Sequence, residues 1–193
     1  YPLLLAEFAL RRSDYDTALT TYLEQARLLR DPAISAHATH LAQFMKREAE
    51  AYEAVSLWVE LDPDSPEANN TLATLLIRKG HPAQAVPHLA VVARNDLRTS
   101  FPMLLSGFRE LPATEKAALD DAVDTLLAER PDDTGLLLTH ALIRDELGDA
   151  AGTRAALERL LALDPGQTQG LMLDAKLRLE AEEERPFQRI EAA

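Results

Sequence analysis

Two stretches of the chain, 66–90 and 134–158, repeat one pattern of residues at an offset of 68 positions. Gly80 and Gly148 occupy the same place in the two copies, as do several apolar residues around them. The prolines that follow apolar helical runs keep this spacing, with intervals of 68 and then 34 residues: Pro63, Pro131 and Pro165. A fixed period in this range is typical of a solenoid, in which each repeat buries its apolar face only against its neighbours. Because such proteins present surface, the period favours binding over catalysis.

The composition favours an all-helical protein that does not bind nucleic acid. Ala, Leu, Arg, Asp and Glu dominate, whereas Gly and the β-branched residues are sparse. The hydrophobic fraction of 47% is typical of a folded chain. A net charge of −12 opposes binding to nucleic acid or to an anionic membrane surface, since both attract clustered Lys and Arg. Basic or apolar protein partners remain compatible with this charge.

Neither a disulfide nor a membrane-spanning segment is predicted. The chain has no cysteine, and its most apolar stretch, 136–143, is far shorter than the ~20 residues that span a bilayer. The start does not have the pattern of a signal peptide, because Glu7 soon follows the first leucines. The chain also begins within a helical pattern. We therefore expect a fragment of a longer protein.

Proline and glycine divide the chain into five helical pairs and one closing helix. Proline stops a helix, and a glycine at mid-repeat allows the positive φ of a tight turn between two antiparallel helices. The predicted pairs are 2–12 with 14–30, 33–45 with 48–61, 66–79 with 82–95, 100–111 with 114–129, and 133–147 with 149–163. The closing helix is predicted over 167–184. The sequence thus predicts one all-α domain over 1–184, followed by a frayed tail over 185–193.

This pattern resembles the tetratricopeptide repeat (TPR), a helix–turn–helix unit of 34 residues. The third pair carries the resemblance best, through Leu72, Ala73, Leu76, Gly80, Ala85 and Leu89. The second and fourth pairs depart from it, with Lys46 and Thr114 in place of the turn glycine. The resemblance implies a right-handed superhelix of antiparallel helix pairs that binds other proteins. It implies no catalytic chemistry.

A second resemblance rests on the stretches 4–9 and 57–61, together with Tyr22 and Asp31-Pro32. These residues look like the N-terminal part of bacterial TPR lipoproteins, some of which deliver substrates to a periplasmic carboxyl-terminal processing protease. The resemblance implies a protease or its substrates as partners. It also favours the bacterial periplasm over the cytoplasm as the location.

Catalysis and metal binding are not predicted. His37 and His40 could share a helix face at a metal-ligand spacing, but no Cys exists and no acidic residue lies within a turn of them. His140 takes an apolar position of the repeat and is predicted to be buried. The sequence contains neither a nucleophile elbow nor a Gly-rich phosphate loop. We therefore predict no enzyme activity, no cofactor and no metal.

The polar clusters that precede helices are predicted to be helix caps. Their side-chain oxygens can accept hydrogen bonds from free N–H groups, and carboxylates favour the positive end of the helix dipole. The predicted caps are Ser13-Asp14, Asp64-Ser65, Thr114-Glu115 and Asp132-Asp133.

The predicted partner surface lies on the first helices of the later repeats. In tetratricopeptide repeats the first helix of each pair lines the concave face through its second, fifth, ninth and twelfth positions. This register predicts an apolar groove that includes Phe101, Leu104, Phe108, Leu138, Leu142 and Met172. Apolar patches of this kind usually mark an interface. The family's carboxylate clamp for chaperone tails is not predicted, since three of the four fifth positions are apolar.

Two alternatives to the groove stay open. In one, the fourth pair is out of register, and Phe101 and Phe108 are core residues between helices. In the other, the patch is the seam for a missing repeat or for a second copy of the chain.

The sequence therefore predicts a protein-interaction scaffold or adaptor. It would take a peptide or protein segment into an apolar concave groove whose acidic rim favours basic flanks. The alternative is a structural or oligomerisation module of a larger repeat protein, which includes a homo-oligomer.

Overall fold

Eleven α-helices occupy the described part of the chain, residues 1–95 and 100–192 of the computed structural model. The helices are α1 (Pro2–Arg11), α2 (Tyr15–Leu29), α3 (Pro32–Phe44), α4 (Glu48–Leu61), α5 (Pro66–Arg78), α6 (Pro82–Arg94), α7 (Ala113–Glu129), α8 (Thr134–Glu146), α9 (Ala150–Leu163), α10 (Thr168–Glu180) and α11 (Gln188–Ala192). Two 3-10 segments, Phe101–Leu105 and Phe108–Glu110, precede α7. No described residue lies in a strand, so the predicted all-α class is confirmed.

A residue with positive φ separates the two helices of each regular pair. These residues are Ser13, Lys46, Gly80, Gly148 and Glu182, with φ angles between 54° and 82°. Their spacings of 33, 34, 68 and 34 residues show the repeat directly in the backbone. Only two of the five are glycines, which explains why Lys46 looked irregular in the sequence although its pair is formed.

Side-chain caps begin most of the helices. Asp14, Ser65 and Asp133 accept hydrogen bonds from the backbone N–H groups of Thr17, Ala68 and Leu136, as predicted. The predicted cap at Thr114-Glu115 is wrong. Helix α7 already begins at Ala113, after Pro112, and has no side-chain cap.

The predicted α-helix over 100–111 is also wrong. Pro102 lies in the first 3-10 turn, which ends at Ser106 with extended backbone. Gly107 follows with a φ of 72°, and the second 3-10 turn ends before Pro112. Proline and a left-handed residue within one short stretch prevent a continuous i to i−4 hydrogen-bond ladder.

The closing helix ends earlier than predicted, and a further helix, α11, lies within the predicted tail. Glu182 has a φ of 54° at the position of Gly148 in the preceding pair, so α10 and α11 are the two helices of a further repeat. Arg189 of α11 donates to Asp174 of α10 at 3.1 Å, and Arg178 donates to the same carboxylate at 2.7 Å. Because Asp174 is buried, the bond from Arg189 attaches α11 to α10, whereas the bond from Arg178 lies within α10.

The chain divides into two compact units. The N-terminal unit holds Tyr1–Lys79 and the later part of α6 from His88; the C-terminal unit holds Gly80–Pro87 and the described residues from Ser100 onward. In the N-terminal unit each of α1 to α4 packs on the next helix in sequence, and in the C-terminal unit α7 to α11 do the same. Each unit therefore grows by neighbour contacts, as expected of a repeat array.

Small and apolar side chains form the core of both units. Ala73 and Ala141 are completely buried. Within the described ranges, no helix is long and apolar enough to cross a membrane.

Candidate functional site

The first 3-10 segment lies against α8 and fills part of the predicted groove. Phe101 is buried, and its ring reaches Gly135, where an added Cβ would lie 3.4 Å from Phe101 Cδ2. Gly135 thus leaves room on α8 for the aromatic ring. Phe101 and Leu104 of this segment are buried, whereas Pro102, Met103 and Leu105 are half-buried.

Four of the six predicted groove residues are buried. Phe101, Leu104, Phe108 and Leu138 are each less than 5% exposed, so a groove made of these side chains is not open in this structure. The structure agrees with the alternative in which Phe101 and Phe108 are core residues. Leu142 is half-buried, and Met172 is 63% exposed.

A cleft remains where the irregular segment meets α8. It has a volume of about 360 Å³, and its lining includes Pro102, Leu105, Phe108 and Leu142. Gly107 and the polar residues Arg109, Glu110 and Glu146 complete it. The cleft is large enough for one or two side chains of a ligand and lies at the low end of small-ligand pockets. Of the predicted groove residues, Phe108 and Leu142 are in its wall.

An ion pair fixes one edge of the cleft. Arg109 donates to Glu146 through Nε at 3.0 Å and through Nη2 at 2.7 Å, which is a two-point contact between the segment and α8. These hydrogen bonds are the main reason that the pKa of Glu146 lies below its usual value. Lys116 donates to the Arg109 carbonyl oxygen at 3.1 Å and lies 5.3 Å from the centre of the Phe108 ring. This edge of the cleft therefore carries both positively and negatively charged groups that a ligand can contact.

Met172 lies on α10, next to the side of the C-terminal unit that carries the cleft. Lys176 of α10 donates to Asp145 of α8 at 2.8 Å, which brings the two helices together. Met172 lies one turn before Lys176, and Leu142 lies one turn before Asp145. Because side chains three and four apart share a helix face, Leu142 and Met172 lie on neighbouring helices along one side of the unit.

A charged cluster between α7 and α8 was not predicted. Asp120, Asp124 and His140 bring ligand atoms within 4.8 Å of one another, a spacing that a metal ion could occupy. Arg144 already contacts both carboxylates, at 2.9 Å for Asp120 and 2.8 Å for Asp124, and donates to His140 Nε2 at 3.0 Å. The guanidinium thus supplies the positive charge of the cluster.

Burial controls the proton affinities in this cluster. It is the main reason that the pKa of His140 is lowered and that of Asp120 is raised. The arrangement fits a neutral His140 that accepts a hydrogen bond from Arg144.

The sequence did contain a signal for the cluster. His140 and Arg144 stand where the third pair has Leu72 and Leu76, and these polar replacements need polar partners when buried.

The two histidines considered as metal ligands have other contacts. His37 stacks on Tyr22 with ring centres 5.8 Å apart. His40 lies 2.9 Å from Glu67 and makes an edge contact with Trp58.

A curated relative shares the repeat. The chain is 31% identical over 148 residues to the TPR repeat-containing protein PA4667 of Pseudomonas aeruginosa. The match covers 77% of this chain and 25% of that protein, so the chain spans about a quarter of its length. No protein-family model matches the chain.

Two solved structures share the fold. PilW, a widely conserved type IV pilus biogenesis factor, is 16% identical with a TM-score of 0.52, over 99% of this chain and 89% of PilW. YrrB, a TPR protein with an unusual peptide-binding site, is 12% identical with a TM-score of 0.51, over 90% of this chain and 89% of YrrB. At these identities the likeness shows the fold alone, which is a helical repeat of the tetratricopeptide type.

Proposed function

We propose that this protein is an interaction scaffold that holds a segment of a partner protein in the cleft beside α8. The observation that carries the proposal is the cleft itself, which exists because an irregular segment replaces a first helix. Its wall combines apolar surface from Leu105, Phe108 and Leu142 with the Arg109–Glu146 pair. The fold shared with YrrB, a protein with a peptide-binding site, supports a general role in binding protein segments.

The cleft chemistry defines the kind of segment. One or two apolar side chains would enter between Leu105 and Leu142, where burial of apolar surface supplies the affinity. The ion pair at the edge would orient the backbone or a polar side chain of the ligand. Met172 would contact apolar residues farther along the segment. The net charge of −12 favours partners with basic flanks.

Selection from a random peptide display library tests this proposal. We expect the wild-type protein to select peptides that share an apolar anchor. Leu142→Asp should weaken the binding of these peptides by about tenfold or more, since a carboxylate would be desolvated in an apolar wall. A matched control is Leu163→Asp, because Leu163 is 48% exposed on α9 and does not line the cleft. Equal binding by both variants would overturn the assignment of the cleft.

The sharper form of the proposal is an adaptor that brings substrates to a bacterial envelope protease in the periplasm. It is supported by the resemblance to bacterial TPR lipoproteins and by the relationship to a Pseudomonas aeruginosa repeat protein. A purified carboxyl-terminal processing protease should degrade envelope proteins faster when this protein is added. The acceleration should be lost with Leu142→Asp and kept with Leu163→Asp. Degradation at the same rate with and without the protein would remove the protease role while leaving peptide binding intact.

A further inference from the structure

The helices α8 and α10 carry an arginine at the same place in their pairs. The positive-φ residues of the two pairs lie 34 positions apart, and this offset makes Arg178 the counterpart of Arg144. Each arginine donates from Nη1 to a carboxylate just after the turn, Asp149 at 3.2 Å and Glu183 at 2.9 Å. The two pairs therefore contain the same contact between the end of a first helix and the start of the next.

The two arginines differ in the group that accepts from Nε. In α10 the acceptor is Asp174, whose Oδ2 lies 2.7 Å from Arg178 Nε. In α8 the acceptor at the equivalent position is His140, whose Nε2 lies 3.0 Å from Arg144 Nε. An ionised carboxylate only accepts hydrogen bonds, whereas an imidazole nitrogen accepts when it is unprotonated and donates when it carries a proton. Of these two contacts, the one in α8 therefore depends on a proton.

His140 Nε2 also has an acceptor within hydrogen-bond distance. Asp124 Oδ1 on α7 lies 2.9 Å from it. One nitrogen cannot accept from Arg144 and donate to Asp124 at the same time. The bond from Arg144 therefore belongs to the neutral ring, and a bond to Asp124 belongs to the protonated ring.

A buried oxygen lies ready to accept from Arg144 when His140 no longer does. Asp120 Oδ1 lies 2.9 Å from Arg144 Nε, and among the described residues it has no hydrogen-bond partner. Arg144 Nη2 donates to Asp124 Oδ2 at 2.8 Å, which holds the guanidinium beside α7. A small rotation of the guanidinium is therefore enough to direct its Nε–H at Asp120. This change gives a buried acceptor the partner that it lacks.

We infer that His140 is a proton-operated switch in the contact between α7 and α8. In the neutral state, Arg144 donates from Nε to His140. When His140 takes up a proton, its Nε2–H donates to Asp124 Oδ1, and the Arg144 Nε–H donates to Asp120 Oδ1. One proton thus replaces a hydrogen bond within α8 by two hydrogen bonds between α7 and α8.

The surroundings of His140 set the pH range of the switch. Burial lowers its pKa from the ordinary value of 6.5, Asp124 on α7 raises it, and Arg144 lowers it. Asp120 on α7 raises the pKa and Arg159 on α9 lowers it, each to a smaller extent. The first 3-10 segment, which also packs on α8, contains no titratable residue. The exchange therefore takes place on the acidic side of the ordinary histidine value.

NMR of the intact protein tests the exchange directly. A through-hydrogen-bond coupling between the nitrogens Arg144 Nε and His140 Nε2 should be present when the ring is neutral. It should disappear on acidification with the same midpoint as the protonation of His140, while the Arg144 Nε–H resonance shifts. The Nε–H resonance of Arg178 is the matched control and should stay unchanged over this range, because Asp174 accepts from it.

Two results of this titration would overturn the inference. One is a coupling between Arg144 and His140 that persists after the ring is protonated or is absent at neutral pH. The other is a His140 ring that takes up no proton before the protein unfolds in acid.

A pair of variants on α7 tests the acceptor for the protonated ring. Asp124→Asn should lower the midpoint of the His140 titration by about 0.5–1 pH unit, since the charged ring loses its carboxylate partner. Asp121→Asn is the matched control and should leave the midpoint unchanged, because Asp121 is exposed and does not contact His140. Equal midpoints in the two variants would show that Asp124 does not accept from His140 and would contradict the exchange.

Discussion

The pair α8–α9 and the segment 101–110 lie in the same unit but differ in backbone structure. The pair consists of two continuous helices, whereas the segment consists of short 3-10 turns. In α8–α9, a glycine with positive φ falls between two continuous helices, at Gly148. In the segment, the positive φ falls at Gly107, next to 3-10 turns that cannot extend because of Pro102 and Pro112. The regular pair buries its apolar faces between its helices, whereas the segment buries Phe101 and Leu104 and leaves a cleft at its edge.

The difference shows where a repeat protein can acquire a binding site. In the regular pair α8–α9 the two helices pack directly on each other. A first helix replaced by a shorter, irregular segment leaves space beside the next first helix. In this protein that space lies next to Leu142, whose side chain is only half-buried.

The largest effect on stability is expected from a substitution that disrupts the packing of the segment 101–110 against α8. Phe101→Ala should lower the free energy of unfolding by about 3–5 kcal/mol, because a fully buried aromatic side chain is removed. Urea denaturation followed by circular dichroism measures this. Met172→Ala, at an exposed position, should cost less than about 0.5 kcal/mol. A loss below about 1 kcal/mol for Phe101→Ala would mean that the segment does not pack on α8 as described.

A smaller effect is expected in the charged cluster between α7 and α8. Arg144→Met should cost about 2–3 kcal/mol, since Asp120 and Asp124 would lose their cation in a partly buried site. Denaturation of Arg144→Met, of Asp120→Asn and of the double variant measures the coupling between the two residues. If all three variants were as stable as the wild type, the cluster would contribute nothing to the fold.

Two of the glycines with positive φ, Gly107 and Gly148, lie in the two regions compared. Gly148→Ala and Gly107→Ala should each cost about 1–2 kcal/mol, because both positions have φ above 70° and neither leaves an added Cβ in close contact. Only Gly107→Ala should also alter peptide binding, since Gly107 lines the cleft. Thermal denaturation and peptide anisotropy on both variants separate the two effects. A change in binding with Gly148→Ala alone would contradict the account.

The smallest expected effect is a dependence on pH. Burial lowers the pKa of both His88 and His140 in the folded state. The unfolded chain therefore binds more protons than the folded one below the ordinary histidine value of 6.5, so stability should fall as the pH falls through this range.

Melting temperatures at about pH 7.5 and about pH 6 test the sign. The double variant His88→Gln with His140→Gln should depend less on pH than the wild type. A wild-type melting temperature that rises on acidification would refute the assignment of neutral histidines.

The sequence predicted the regular pairs well because their signals are local. Helical spacing, proline stops and capping residues such as Asp14 and Asp133 act within a few residues of one another. Lys46 and Glu182 were harder to recognise, since their positive φ is imposed by the helices on either side and not by glycine. For this reason the sequence does not predict α11 as the second helix of a last repeat.

The candidate site was predicted only in part because its geometry is tertiary. The groove register assumed a helix at 100–111, and the loss of that helix turned Phe101 and Leu104 inward. On α8 and α10, Leu138 is buried, Leu142 is half-buried and Met172 is exposed. The polar cluster at His140 could not be predicted from the spacing of residues within one helix. It depends on α7 placing Asp120 and Asp124 opposite α8, which is a tertiary contact.

The central claim is that a partner segment lies against Leu142 in the cleft beside α8. The chain has no cysteine, so Leu142→Cys and Leu163→Cys each introduce a single thiol. The rate of thiol alkylation should be measured for both variants with and without a peptide selected by display. The account predicts that the peptide slows alkylation at position 142 by about tenfold and leaves position 163 unchanged. Equal rates at position 142 with and without bound peptide would contradict it.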